Sequence, residues 1–248
     1  MSVQPLVETL EMNLQLNRGD GSPLGYFAAT MLRLLRSLEE QGAATPFAIA
    51  AAGLYVESYE AYQAGAEDIP HCWRIALDAA AIPQWHPYIA PIQHLVLATN
   101  AHVHFDLPLA ARKLCASPKE LATHKDAFSD YSKRVIEALV HAQTITAKTS
   151  PLQDLLESFY LIDGAKLFGF NPATARKTAW RVAALVLGQA EEAQMGTLDD
   201  YDGLVSAHAK EIREPREEGQ KVIDFLRRFD GDRDEQGVVD LIDALEAR

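Results

Sequence analysis

Apolar residues recur three and four positions apart along most of this chain, which is the spacing of one buried face of an α-helix. The spacing is clear at Met31, Leu34, Leu35 and Leu38, and again between residues 152 and 159. The pattern predicts helices over residues 3–17, 23–41, 46–64, 70–81, 88–106, 108–116, 118–147, 151–168, 172–192, 197–213, 216–229 and 234–247.

Many of these helix starts are marked by a capping residue followed by proline. Ser, Thr or Asn at the N-cap accepts a hydrogen bond from a free amide of the first turn, and proline at the next position has the φ angle that a helix needs. Five such pairs precede apolar segments: Ser22-Pro23, Thr45-Pro46, Ser117-Pro118, Ser150-Pro151 and Asn171-Pro172. Each pair predicts a helix that begins at its proline.

Signals for β-strands are nearly absent. The two Asp-Gly pairs, Asp20-Gly21 and Asp230-Gly231, join helical patterns rather than alternating apolar runs. The predicted fold class is therefore all-α. Short connections and the lack of a fixed repeat favour a single compact bundle of about ten or more helices over residues 1–248. Residues 193–248 are acidic and less apolar, so we expect a helical appendage packed on the bundle or a contact within a homo-oligomer.

The charge of the chain excludes several classes of partner. A net charge of −12 and a pI of about 5.1 argue against binding to nucleic acid or to an anionic membrane, since both require clustered Lys and Arg. The sequence has no apolar run long enough to span a membrane and no signal-peptide pattern at its start, so we expect a cytoplasmic protein. In that compartment Cys72 and Cys115 stay reduced, and no Cys-x-x-Cys pattern is present to bind zinc.

Histidine is concentrated in one segment of the chain. Five of the eight histidines lie between residues 71 and 104, together with two of the three tryptophans. These histidines are His71, His86, His94, His102 and His104. Most of them stand among apolar residues, where an unpartnered polar group is costly to bury. The segment therefore predicts either a buried hydrogen-bond network or a binding site.

Helical geometry restricts which of these side chains can act together. A helix turns by about 100° per residue, so His102 and Asp106 share one face with Thr99. A carboxylate in that position fixes the tautomer of the imidazole and raises its basicity, as a general base requires. His94 lies next to this face, whereas His104 lies on the opposite side. The helical phase therefore disfavours a His-x-His-x-Asp zinc site built from this segment.

Each member of the His102–Asp106 pair has a structural alternative. Asp106 precedes Leu107 and Pro108, so it could cap the next helix instead of orienting a histidine. His102 could be a core histidine whose nitrogens are satisfied within the protein. Solvent access distinguishes these interpretations, because an open pocket at His102 indicates catalysis and a sealed, fully paired network indicates a structural role.

Other polar positions are weaker candidates. Glu57, near Tyr55, is followed by a second glutamate three residues later, but no Glu-x-x-His motif accompanies them, so a solvated helix face is the simpler interpretation. Arg176 and Trp180, four residues apart, either pack together or bind an anionic group. The run at residues 199–202, Asp-Asp-Tyr-Asp, is typical of the acidic first turn of a helix.

The histidine-rich segment also carries a family resemblance. The stretch from Asn100 to Ala110, Asn-Ala-His-Val-His-Phe-Asp-Leu-Pro-Leu-Ala, resembles the Asn-Ala-His-Ile-Asn-x-Asp-Leu signature of the bacterial family called domain of unknown function 5995. His104 departs from this signature, which tends to carry Asn there. Supporting segments are Leu54-Tyr55, Ile82-Pro83-Gln84-Trp85 and the run from Arg176 to Ala183, so the resemblance covers roughly residues 40–190. It implies a helical fold, gives weight to Asn100, His102 and Asp106, and implies no reaction.

Three functional hypotheses follow. The leading one is a small-molecule enzyme of bacterial secondary metabolism, with an apolar aromatic pocket in which His102 is the general base or acid and Asp106 orients it. The residues expected to bind substrate are Asn100, His104, His94, Tyr55, Glu57, Trp85, Arg176 and Trp180. No cofactor is expected, although a metal-dependent hydrolase or oxidase that recruits His94 or Glu57 is a second form of this idea. The other class is a non-catalytic helical binding or scaffold module with a buried His/Asn/Asp network.

Overall fold

The computed structural model describes residues 2–81, 91–149, 170–214, 217, 221 and 235–247. These residues form helices, turns and bends without any β-strand, which confirms the all-α prediction. None of the helices in these ranges is long and apolar enough to cross a bilayer. The elements are α1 (Gln4–Gly19), α2 (Gly25–Glu40), α3 (Pro46–Gln63), α4 (His71–Ala81), α5 (Pro91–Ala101), a π-helical turn (His102–Asp106), α6 (Leu107–Leu114), α7 (Pro118–Thr123), α8 (Lys125–Lys148), α9 (Pro172–Leu187), α10 (Glu191–Arg213) and α11 (Glu235–Glu246).

Helix α5 occupies the centre of the core. All its side chains from Pro91 to Ala101 are buried, including the polar residues Gln93, His94, Thr99 and Asn100. The helix contacts α2, α4, α8 and α10. Because a helix enclosed in this way has no solvent-facing stripe, each of its polar side chains depends on partners within the protein.

Three of the predicted N-caps are confirmed. Thr45, Ser117 and Asn171 each accept a hydrogen bond from the backbone amide three residues later, at 3.1, 3.2 and 3.0 Å. The prediction at Ser22-Pro23 is wrong, because α2 begins only at Gly25, after a tight turn in which the Gly25 amide donates to the Ser22 carbonyl. The pair Ser150-Pro151 lies outside the described residues.

The structure divides helices that the pattern predicted as continuous. Residues 118–147 form two helices, because His124 leaves the helical conformation with φ −96° and ψ 6°. The helix predicted over 172–192 ends at Leu187, and α10 begins at Glu191 rather than at residue 197. The described part of the helix predicted over 88–106 is α-helical only as far as Ala101. The predictions over 151–168 and 216–229 lie almost entirely outside the described residues.

Helices from the C-terminal part of the chain pack against its N-terminal part. Helix α10 contacts α4 and α5, and α11 contacts α2 and α8. Arg18 of α1 pairs with Asp243 at 2.7 Å and with Glu246, and Arg36 of α2 pairs with Glu246 at 2.7 Å. These ion pairs join helices α1 and α2 to α11.

Candidate functional site

The motif from Asn100 to Asp106 spans the point at which α5 becomes a π-helical turn. The amide of Leu107 donates to the carbonyl of His102, five residues earlier, instead of the four of an α-helix. Pro108 follows and has no amide to donate to the carbonyl of His104, so one α-helical bond is missing here. Since π-helical turns occur frequently at functional sites, the position of this turn within the motif indicates a candidate site.

Four buried side chains form a hydrogen-bond network around this turn. His102 Nδ1 lies 2.8 Å from Asp106 Oδ2, and His102 Nε2 lies 2.9 Å from the Tyr131 hydroxyl. The indole Nε1 of Trp73 donates to Asp106 Oδ1 at 2.9 Å. His102 and Trp73 are 0% exposed, and Asp106 and Tyr131 are 1% exposed. We call these four residues the buried network.

The partners in the buried network determine where its protons lie. The carboxylate of Asp106 only accepts, so His102 carries its proton on Nδ1 and donates it to Asp106. With the proton on Nδ1, Nε2 accepts from the Tyr131 hydroxyl, which makes no other hydrogen bond among the described residues. Every donor of the network is therefore used, and the imidazole is held in a single tautomer.

Burial controls the ionisation of the network. It raises the pKa of the Asp106 carboxyl, while the hydrogen bonds from His102 and Trp73 lower it in part. Burial and the nearby Asp106 charge together raise the pKa of the Tyr131 hydroxyl. Tyr131 is thus a proton donor at neutral pH and occupies the nitrogen with which His102 would accept a proton from a substrate.

Asp106 does not cap helix α6, so that alternative is wrong. Its backbone is helical, with φ −67° and ψ −35°, and no amide of α6 donates to its side chain within the described residues. Both carboxylate oxygens are instead occupied by His102 and Trp73. The carboxylate therefore faces into the core rather than along the next helix.

A second cluster of rings lies on the opposite side of the turn. His104 Nδ1 is hydrogen-bonded to the Tyr201 hydroxyl at 3.0 Å, and His208 Nδ1 donates to Asn100 Oδ1 at 2.9 Å. The rings of His104 and His208 meet edge to face with centroids 6.1 Å apart, and Phe170 stacks on His208. We call these five residues the outer cluster. The structure thus separates Asn100 and His104 from His102, because they contact α10 while His102 contacts α8.

The outer cluster is only partly enclosed, since His104, Tyr201 and His208 are half-buried. Burial lowers the pKa of His104 to about 4, with a further contribution from His208. His104 is therefore neutral at physiological pH.

Two further residues proposed for substrate binding lie within the core. His94 donates from Nδ1 to the Ala76 carbonyl at 3.2 Å, and burial lowers its pKa to about 4. Tyr55 packs against Trp73 with ring centroids 5.1 Å apart. Among the described residues, neither His94 Nε2 nor the Tyr55 hydroxyl has a hydrogen-bond partner.

Tyr55→Phe should leave the free energy of unfolding unchanged or raise it by up to about 1 kcal/mol, because the lost hydroxyl is buried without a partner. Tyr62→Phe is a matched control, since the Tyr62 hydroxyl donates to Asp78 at 2.9 Å. That variant should lose about 1 kcal/mol. Urea unfolding of both variants measures the difference, and equal losses would show that the Tyr55 hydroxyl is hydrogen-bonded in solution.

Those of the remaining predicted site residues that the structure describes are not brought together. Glu57 is exposed and pairs with Lys113 at 2.9 Å. Arg176 donates to Ser132 and Ser129, while Trp180 packs edge to face against Phe128. Trp85 lies outside the described residues. Glu57, Arg176 and Trp180 therefore form separate surface and packing contacts.

The acidic run at residues 199–202 is not the first turn of a helix, because α10 already begins at Glu191. Asp202 instead caps α4 although it belongs to α10, and it accepts hydrogen bonds from the amides of His71 at 2.6 Å and Cys72 at 3.0 Å. The prediction about its position is wrong, but the carboxylate does face the positive end of a helix dipole.

Sequence patterns missed several members of both groups. Nothing indicates Tyr131, which lies 29 residues beyond His102 and belongs to another helix. Tyr201 and His208 are seven residues apart, a spacing that places both on one face of α10 and could have suggested a pair. Within the described ranges, no group of three or more His, Cys, Asp or Glu side chains is arranged to hold a metal ion.

Comparison with known proteins gives one match. A family model described as a family of unknown function, DUF5995, matches residues 3–215. No curated protein and no solved structure matches the chain. The matched range includes α1 to α10 and therefore both the buried network and the outer cluster. The family resemblance is thus confirmed over most of the chain, which belongs to the family of unknown function DUF5995.

Proposed function

We propose that this protein is a non-catalytic helical binding module in which the buried network is a structural element. The observation that carries this proposal is the state of His102. Its ring is fully buried, and both of its nitrogens are bonded to other side chains. A buried polar network with every group satisfied stabilises one arrangement of the helices around it.

The network joins elements that are distant in sequence. Trp73 belongs to α4, His102 and Asp106 to the π-helical turn, and Tyr131 to α8. A shift in the register of any one of these elements would leave at least one buried donor without an acceptor, which costs about 1–3 kcal/mol. The network therefore fixes the relative positions of α4, α5 and α8.

We place ligand binding in clefts that lie away from the buried network. One cleft of about 710 Å³ lies between α1 and the ends of α3 and α4, within the size range of small-molecule sites. A smaller one of about 270 Å³ lies between α2, α8 and α11. Neither is lined by His102 or Asp106.

The competing hypothesis is acid–base catalysis by His102 and Asp106. It requires a substrate to reach His102 Nε2, the atom that receives the Tyr131 hydroxyl. Reaction of histidine with diethyl pyrocarbonate distinguishes the two functions, because the reagent attacks an accessible neutral ring nitrogen.

In the folded protein at pH 7, we expect His71, which is exposed, to be modified and His102 to remain unmodified. Peptide mass spectrometry after a short reaction measures both sites in one sample. Modification of His102 should appear only after unfolding in urea. Reaction of His102 at the rate of His71 in folded protein would contradict the proposal and favour the acid–base enzyme.

A further inference from the structure

The cleft between α2, α8 and α11 combines an apolar wall with cationic and hydrogen-bonding groups. Its volume is about 270 Å³, on the order of nine water-sized volumes. Leu34 and Leu245 form part of the apolar wall. The polar and charged lining is Thr30, Arg33, Ser37, Gln41, Arg134, Glu137 and His141.

Most of the charges in this cleft are neutralised by partners. The Arg134 guanidinium pairs with Asp130 at 2.8 Å and donates to Gln41 Oε1 at 2.8 Å. The Glu137 carboxylate pairs with Lys133 at 3.4 Å. Arg134 and Glu137 are thus each bound to an opposite charge within one turn of their own helix.

Arg33 differs from these residues. It is half-buried, and its guanidinium forms no ion pair or hydrogen bond with the described part of the chain. Burial alone lowers the pKa of Arg33. Arg36, three residues later on α2, has two carboxylate partners, Glu11 and Glu246. The cleft therefore contains one positive charge, with five N–H donors, that no carboxylate neutralises.

We propose that this cleft binds a small monocarboxylate, with the carboxylate on Arg33 and a short apolar group against Leu34 and Leu245. The planar guanidinium matches a carboxylate in two parallel hydrogen bonds. The Glu137 carboxylate in the lining repels a second negative charge, which favours a monoanion over a phosphate dianion. This inference rests on the proposed function, because it names the ligand class of the binding module.

The net charge of the protein argues against non-specific binding of anions. A chain with a net charge of −12 repels anions over most of its surface. Binding of a small anion therefore requires a local site that overcomes this repulsion. General electrostatic attraction therefore cannot account for saturable binding of a monocarboxylate at one site.

The test is titration of the 248-residue protein with butanoate, in which calorimetry and the shift in melting temperature measure binding. We expect saturable binding of butanoate, weaker binding of inorganic phosphate and no binding of butylammonium. Arg33→Gln should reduce the affinity for butanoate at least about tenfold, because a charge-assisted pair is lost. Arg33→Lys should give an intermediate affinity, because it keeps the charge and loses the planar fork.

Arg181→Gln is the matched control, since Arg181 is an exposed arginine on α9, away from the cleft. It should bind butanoate as the unmodified protein does. The proposal is overturned if butanoate does not bind, if phosphate binds more tightly, or if Arg33→Gln and Arg181→Gln behave alike. The reactivity of His102 in the same samples distinguishes failure of this inference from failure of the proposed function. A protected His102 with no butanoate binding rejects only the carboxylate site.

Discussion

Replacing Asp106 with alanine should lower the free energy of unfolding by about 3–5 kcal/mol. The substitution leaves the Nδ1 proton of His102 and the indole proton of Trp73 without acceptors in the core. Asp106→Asn is milder, at about 1–3 kcal/mol, because the amide oxygen accepts one of these protons while its NH₂ group faces the other donor. Urea unfolding gives both values, provided that the slope with denaturant is unchanged.

Asp199→Asn is the control for this prediction, because Asp199 is exposed on α10. It should change the stability by no more than about 0.5 kcal/mol. A catalytic role for Asp106 gives the opposite pattern: Asp106→Asn would keep the wild-type stability, and turnover of a substrate would fall about a hundredfold or more. An unchanged unfolding midpoint for Asp106→Asn would therefore contradict the structural role of the network.

The sequence predicted the features that depend on local spacing. Thr45, Ser117 and Asn171 cap their helices because an N-cap involves only neighbouring residues. The pairing of His102 with Asp106 was predicted from their separation of four residues, and it is present even though the backbone there is π-helical rather than α-helical. The His102–Asp106 hydrogen bond thus forms despite a small change in helical phase.

Partners from distant parts of the chain could not be predicted in this way. Tyr131 and Trp73 reach the His102–Asp106 pair only through the packing of α8 and α4 against α5. No periodicity within α8 indicates that Tyr131 faces a histidine on another helix. Whether the His102–Asp106 pair is open to a ligand or sealed therefore depends on tertiary structure, because Trp73 and Tyr131 occupy the remaining polar atoms of the pair.

The stability of the protein should fall steeply as the pH is lowered from about 6.5 to 4.5. The pKa of His94 and that of His104 are each lowered from an ordinary value of 6.5 to about 4 in the folded protein. In this window the unfolded chain binds a proton at each histidine and the folded chain does not. The stability that the two neutral rings contribute is therefore fully present above pH 6.5. It is lost progressively as the pH falls toward the folded pKa, by up to about 1.4 kcal/mol per pH unit for each ring.

Burial is the main cause of the lowered pKa at both histidines, and a substitution at each position separates their contributions. His94 is 2% exposed, with its Nε2 unpaired, so a second proton there would be buried without an acceptor. His104 is half-buried, so burial is again the main cause of its lowered pKa, and the neighbouring His208 adds to it. Burial acts in the opposite direction on Asp106, because a raised carboxyl pKa favours the folded state as the pH falls.

Urea unfolding at several pH values between 7 and 4.5 measures this dependence, and His94→Met and His104→Gln should each reduce its slope. His94→Met removes a ring that resists protonation and leaves an apolar side chain of similar size in the core. His104→Gln keeps a polar partner for the Tyr201 hydroxyl, so its main effect should be on the slope rather than on stability at pH 7. Nuclear magnetic resonance titration of the two ring signals provides an independent measurement, since both should titrate with a midpoint near pH 4. A flat stability profile above pH 4.5 would mean that both rings take up protons in the folded state as readily as in the unfolded chain, and would overturn the description of His94 and His104 as side chains kept neutral by burial.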